Sequence, residues 1–167
     1  MMGITRRLAL LGAAAALSGC AGRFPRHDRP EVTRLRLRKG ERLLYLDHGA
    51  SVLAAHRVGL GFAPEGRKRF EGDGRTPEGS YVIDRRNPDS LYHLSIGISY
   101  PNADDVAYAA ARGRAPGSDI FIHGGPRPGI DPVGVRDWTA GCIATTDREI
   151  EAIYAMVRDG TPIEITA

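Results

Sequence analysis

The sequence predicts a mainly β domain with one or two helices. Three observations carry this. Short runs of alternating apolar residues recur at hairpin spacing between Val32 and Val58. Twenty-one glycines and eleven prolines in 167 residues break the chain into elements too short for a helical bundle. One strongly marked helix follows Thr146, near the C-terminus. After a removable leader, the length suits one domain able to bury its own core, so three segments are expected: residues 1–20 as leader, 21–31 as tether and 32–167 as the folded unit.

Taken in order, Arg6 and Arg7 precede an apolar run from Leu8 to Leu17, too short to span a bilayer but right for the core of a secretory signal. The stretch from Ala21 to Glu31 is polar, carries Pro25 and Pro30, and reads as a tether. Val32, Leu35 and Leu37 among arginines predict a strand with one wet face. Lys39-Gly40-Glu41 turns the chain into a second strand, Leu43 to Leu46, and Asp47-His48-Gly49 turns it into a third, Val52 to Val58. Three strands at this spacing form an antiparallel meander. His48 and His56 have no partner within their own patterns and are assigned structural or exposed places.

The loop from Gly59 to Thr76 is rich in glycine and basic residues, yet no Walker-type lysine and no helix follow it, which excludes a nucleotide cradle. Gly72 to Gly79 supplies turns feeding a strand from Ser80 to Asp84. Leu91 to Ser99 alternates, with Leu94, Ile96 and Ile98 on one side and His93, Ser95 and Gly97 on the other, until Tyr100-Pro101-Asn102 ends it. Asp104 to Arg112 predicts a short helix stopped by Gly113. Ile120 to Ile122 forms a short strand that delivers His123 beside Gly124 and Gly125. The prolines and glycines from Pro126 to Gly134 then force a surface loop. A second short element carries Cys142. Thr146 and Glu149 make a capping box, Ile150, Ile153, Tyr154 and Val157 form the buried stripe, Gly160 and Pro162 close the helix, and Ile163 to Thr166 is a last strand.

One histidine and one cysteine thus stand on a loop-bordered rim. A thiol near neutral pH is mostly protonated, and an imidazole beside it can take that proton, which is the requirement for thiol-based acyl transfer. The competing reading is a buried cysteine acting as a small hydrophobe. Cysteine arithmetic favours the first: the chain has two cysteines and Cys20 falls in the leader, so Cys142 has no internal disulfide partner. Zinc is not expected, because Cys142 and His123 supply two ligands and no CxxC or HxxxH pattern completes a set. No cofactor is implied. The formal charge of +3 is scattered, without a basic block, so nucleic acid is not an expected partner.

His123-Gly124, fourteen residues, then Thr139-Ala140-Gly141-Cys142-Ile143 resembles the catalytic signature of the YkuD-type L,D-transpeptidases. Gly72 to Tyr81, Ser99 to Asp105 and Gly141 to Tyr154 are most similar to the YafK branch of that family. The likeness runs from about Val32 to the C-terminus. It implies a YkuD-like mixed β-sandwich with the capped helix packed on the sheet, peptidoglycan stem peptides as substrate, Cys142 as nucleophile forming a thioester and His123 as general base. It also implies that the Gly124 carbonyl orients the imidazole. Backbone N–H groups around Gly141 and Cys142 are the expected oxyanion donors. Arg136, Trp138, Thr139, Tyr100 and His93 are the candidate substrate contacts, Thr139 more as a hydroxyl that fixes the loop.

The chain departs from the family pattern at Ala140, where many members have a second histidine, and at Ala144, where they have arginine or asparagine. The acceptor is therefore left open. An amine gives transpeptidation, and water gives hydrolysis that releases wall-attached lipoprotein or cross-links. A non-catalytic wall-binding lipoprotein is the third alternative. Leu17-Ser18-Gly19-Cys20 resembles a bacterial lipobox, which implies lipidation at Cys20 and, with Ala21 following, a periplasmic protein anchored to the outer membrane of a Gram-negative cell. A plain signal peptide is the alternative. Thr5-Arg6-Arg7 also fits twin-arginine export, and the oligomeric state is not encoded in these patterns.

Overall fold

The structure is a computed structural model that describes residues 30–167. The leader, most of the tether and Cys20 lie outside the described residues. The chain is mainly β with two helices, as expected: β1 Arg34–Arg38, β2 Leu43–His48, β3 Ser51–Arg57, β4 Gly79–Asn87, β5 Ser95–Ile98, α1 Ala103–Ala110, β6 Phe121–His123, β7 Ile143–Ala144, α2 Asp147–Met156 and β8 Pro162–Thr166. All eight strands join one sheet in the order β3-β2-β1-β8-β4-β5-β6-β7.

β1, β2 and β3 form the antiparallel meander that their hairpin spacing dictates. β8 then enters between β1, which it meets in parallel, and β4, which it meets antiparallel. β4 is the longest strand and belongs to both halves of the sheet, with a register shift between Ile83 and Arg85 where the second half begins. Such an irregularity bends the strand and increases its twist. The sheet curls far enough for its two ends to meet: Gly59, just past β3, bridges Ala144 of β7, and Gly61 bridges Thr139. Leu35, Leu37, Leu44, Leu46, Ile83, Ile96, Ile98 and Ile122 line the enclosed face and are fully buried. The hydrophobic area they withdraw from water holds the two halves together.

α2 starts as its sequence prescribes. The Thr146 side chain accepts from the Glu149 N–H while the Glu149 carboxylate accepts from the Thr146 N–H. Ile150, Ile153, Met156 and Val157 are buried; Tyr154, expected in that stripe, is half-buried and lies under the Arg86 guanidinium at 3.8 Å. The helix packs on β5 and β6, directly behind the strand that ends in His123. α1 carries a second capping box, Asn102 with Asp105. Two sequence boundaries are corrected. The strand expected from Leu91 to Ser99 begins only at Ser95, because the chain before it turns through a left-handed His93 (φ 72°), and β4 runs three residues beyond Asp84. Among the described residues no helix is long and apolar enough to cross a membrane.

Candidate active site

Sheet register brings the histidine and the cysteine together. β6 lies between β5 and β7, with Ser95 opposite His123 and Ile122 opposite Ile143. Side chains alternate along a strand, so Ser95, Phe121, His123 and Cys142 fall on one face, away from the buried Ile122 and Ile143. All four border one cavity of about 200 Å³, together with Tyr92 and Asn87. Cys142 also borders a second cavity of about 230 Å³, lined by Lys68, Glu71, Gly72, residues 117–120 and Ala140. Cys142 therefore lines two recesses.

The imidazole is fixed in orientation. Nδ1 lies 2.7 Å from the carbonyl oxygen of Gly124. Since that oxygen can only accept, Nδ1 carries the proton and Nε2 keeps its lone pair. The Tyr92 ring lies 4.4 Å from the imidazole, and Trp138 meets it edge-on at 5.6 Å. Burial pulls the His123 pKa down against the opposing Gly124 hydrogen bond, so the ring is neutral at neutral pH. Burial likewise pushes the Cys142 thiol up, opposed by the Phe121 N–H. Sγ accepts from that N–H at 3.4 Å and donates to the Asp119 carbonyl at 3.5 Å. The resting pair is thus a thiol and an imidazole, not a preformed ion pair.

Each of the two loops is tied down separately. In the cysteine loop, the buried Thr139 hydroxyl donates to the Cys142 carbonyl at 2.7 Å and accepts from the Gly141 N–H at 3.1 Å. Gly141 has φ 139°, and a Cβ there would sit 2.7 Å from the Arg75 carbonyl oxygen, so only glycine fits this close approach. Asp137 accepts from the Arg42 guanidinium and from the Leu60 N–H, fastening the loop to the β1–β2 turn and to the chain beyond β3. In the histidine loop, Arg127 donates two hydrogen bonds to Asp147, the first residue of α2, at 2.7 and 2.8 Å, and the Gly125 N–H joins the same carboxylate. Asp131 accepts from the Tyr92 hydroxyl and the Arg127 N–H, which holds Tyr92 against the imidazole. Gly124 has no room for a side chain: a Cβ would be 2.8 Å from the Tyr92 carbonyl oxygen and would strike Asp147.

The expected site residues divide. His123 and Cys142 line one cavity, with the Gly124 carbonyl 2.7 Å from Nδ1 of His123. Trp138 is half-buried, its ring edge-on to the imidazole. The Gly141 N–H, expected as an oxyanion donor, is spent on Thr139, and Thr139 itself is 4% exposed and fixes the loop instead of meeting a substrate. Tyr100 is a core residue, 3% exposed, its hydroxyl donating to the Pro116 carbonyl. His93 precedes the strand and pairs through Nε2 with Glu151 at 2.7 Å, facing α2. Arg136 is exposed and lines neither recess. Sequence reasoning missed Tyr92, Arg127, Asp131, Asp137 and Asp147. The available signal was two aspartates and two arginines, Asp131, Asp137, Arg127 and Arg136, in a loop rich in glycine and proline. No three His, Cys, Asp or Glu side chains among the described residues are placed to hold a metal ion.

A neutral imidazole and a thiol in one cavity are what thiol-based acyl transfer requires. The chain belongs to the YkuD family of L,D-transpeptidase catalytic domains, whose profile matches residues 33–165. It is 35% identical over 94 residues to the Escherichia coli K12 protein named "Putative L,D-transpeptidase YafK", an alignment that covers 55% of this chain and 32% of that protein. The chain thus spans about a third of the curated relatives it matches. The fold is shared with Pgp2, the helical cell shape determining protein of Campylobacter jejuni, at a TM-score of 0.63 and 23% identity over 81% of this chain and 48% of that one. It is also shared with L,D-transpeptidase 1 of Mycobacterium tuberculosis, at a TM-score of 0.53 and 12% identity over 82% of this chain and 62% of that one.

Proposed function

We propose that this domain is a cysteine-dependent L,D-transpeptidase that forms a thioester with a peptidoglycan stem peptide and passes the acyl group to an amine. The observation that carries the reading is the register of β5, β6 and β7, which sets Cys142 and His123 on one sheet face in one cavity while the Gly124 carbonyl leaves the Nε2 lone pair free. Sγ leaves the Asp119 carbonyl, gives its proton to Nε2 and attacks the stem carbonyl. As the C–N bond breaks, the imidazolium returns that proton to the departing amine. The Cys142 N–H, which the Thr139 hydrogen bonds do not engage, is the backbone donor assigned to the oxyanion in this reading. An incoming amine then loses its proton to Nε2 as it displaces Sγ. Water in its place gives hydrolysis.

The leader pattern supports export and lipidation at Cys20, which would tether the domain to the periplasmic face of the outer membrane through residues 21–31. The mature N-terminus and its acyl chains are read by intact-mass spectrometry of the membrane-extracted protein.

The central experiment is intact-mass spectrometry after incubation with a tetrapeptide stem donor. The wild type gains the acyl mass on Cys142; Cys142→Ser and His123→Ala do not. A wild type that gains no mass, or a Cys142→Ser that still does, overturns the reading. Muropeptide separation after digestion of treated sacculi then distinguishes transfer, which creates new cross-links, from hydrolysis, which only removes bound peptide.

A further inference from the structure

Three arginines gather around two aromatic rings where the segment before Glu71 meets the end of α1. The Arg112 guanidinium carbon lies 3.6 Å from the centre of the Tyr108 ring, and that of Arg69 lies 4.0 Å from the same centre. At these distances each group sits nearly over the ring. Two like charges do not crowd onto one spot, so the two guanidinium groups take opposite faces of Tyr108. Arg114 covers the neighbouring Phe70 ring at 3.9 Å, and the Phe70 and Tyr108 ring centres are 6.0 Å apart.

The cluster is held in place by contacts around it. Arg67 donates to the buried Asp105 carboxylate of α1 at 2.6 Å, and the Glu71 N–H donates to the Ala115 carbonyl at 2.9 Å. The Arg69 and Phe70 N–H groups both donate to Asp73. Loop and helix therefore keep fixed places, and the stacked cations need little further ordering to receive a ligand. Stacking occupies the flat face of a guanidinium and leaves its N–H edge. Arg112 uses one such N–H on the Tyr108 carbonyl at 3.1 Å, a contact that a helix end accounts for. The helix end does not account for Arg69 and Arg114. No carboxylate among the described residues pairs with any of the three, although Glu71 and Asp104 are exposed nearby in the chain.

The free N–H edges select the ligand. Both faces of Tyr108 are occupied, so that ring offers no platform to a sugar or a base. Cations on its two faces are about 8 Å apart, the span one phosphate bridges when an oxygen on each side accepts a hydrogen bond of about 2.8 Å. A carboxylate brings one charge and two oxygens to three cations. A phosphate group brings more charge and a further oxygen for Arg114.

We infer that Arg69, Arg112 and Arg114 form a binding site for a phosphate group, built around the Tyr108 ring. The site uses none of the residues assigned to acyl transfer and does not rest on that reading.

The test is modification by phenylglyoxal, which attacks accessible guanidinium groups, on the full chain in non-ionic detergent micelles, with the modified residues mapped by peptide mass. One arm titrates inorganic phosphate and the other dopes the micelles with phosphatidylglycerol. Sodium chloride at equal ionic strength and sodium acetate are the controls. At phosphate tenfold above its Kd, modification of Arg112 and Arg114 is expected to slow by about tenfold, while the exposed Arg57 and Arg148 react as before. Protection by inorganic phosphate identifies a site open to soluble phosphates; protection by phosphatidylglycerol alone identifies a lipid headgroup site. Arg69→Gln, checked for folding by thermal unfolding, is expected to weaken the protection of Arg112 by about tenfold in ligand concentration. No protection in either arm, equal slowing at Arg57 and Arg148, equal protection by chloride or acetate, or full protection kept in folded Arg69→Gln overturns the inference.

Discussion

Thr139→Val tests the proposition that a hydroxyl behind the nucleophile, and not a substrate contact, makes Thr139 necessary. Valine keeps the shape but strands two groups at once: the Gly141 N–H, now 3.1 Å from Oγ1, and the Cys142 carbonyl, now 2.7 Å from it. An unsatisfied buried polar group costs about 1–3 kcal/mol. Gly141 is buried and should bear that cost in full, whereas Cys142 is half-buried and its carbonyl can recover part of its loss from water. A net destabilisation of about 2–3 kcal/mol follows, or about 30- to 150-fold in the folded-to-unfolded ratio. Because the same bonds set the position of Sγ, acylation should slow by about 10- to 100-fold. Thr139→Ser retains the oxygen and should recover most of both losses. Urea denaturation and adduct formation followed by mass spectrometry read the two quantities. A Thr139→Val protein with wild-type stability and a raised KM alone would refute the reasoning and restore the substrate-contact role.

Two further outcomes are expected. Asp147→Asn removes the charge that holds Arg127 and weakens the link to Gly125; with Asp147 43% exposed, a loss of about 1–2 kcal/mol in thermal stability is expected, with acylation slowed because the His123 loop is released. An unchanged acylation rate in that variant would show that the clamp does not position the histidine. The raised Cys142 pKa makes thiolate scarcer at neutral pH than in a free cysteine, so alkylation by iodoacetamide, mapped to Cys142 by peptide mass, should be slow at pH 7 and rise to a midpoint above that of a free thiol. A midpoint at or below the free-thiol value would mean that the sulfur rests as a thiolate.

Local signals in the sequence were read correctly where local physics decides. The β1–β3 meander follows from apolar alternation and turn residues. The start of α2 follows from Thr146 and Glu149, and the presentation of His123 from an apolar run ending at two glycines. What the sequence concealed is long-range pairing. Arg42 and Asp137 are 95 residues apart and Arg127 and Asp147 twenty, and nothing periodic marks them as partners. Tyr100 reads as a strand-end aromatic free to face a groove, yet its ring packs edge-on to Tyr81 at 5.9 Å in the core. His93 fits a period-two pattern that its left-handed backbone breaks, because Tyr92 must turn to lie against the imidazole. In each case a tertiary contact overrode a pattern valid over only a few residues.

The two alanines that depart from the family pattern sit at different depths, and this separates their consequences. Ala144 is buried at 4%, opposite His123 in the ladder, and its N–H and carbonyl both bond Gly59 where the curled sheet closes. A long polar side chain there would have to be accommodated at that closure, so Ala144 belongs to the architecture as much as to the site. Ala140 is exposed and lines the recess that Lys68 also lines. A small residue on that wall leaves the recess open, and the cation within it comes from the loop after β3 rather than from the cysteine motif. The walls of that recess thus come partly from a loop that the His-to-Cys signature does not contain, while the signature itself supplies the sulfur, the imidazole and the backbone that holds them.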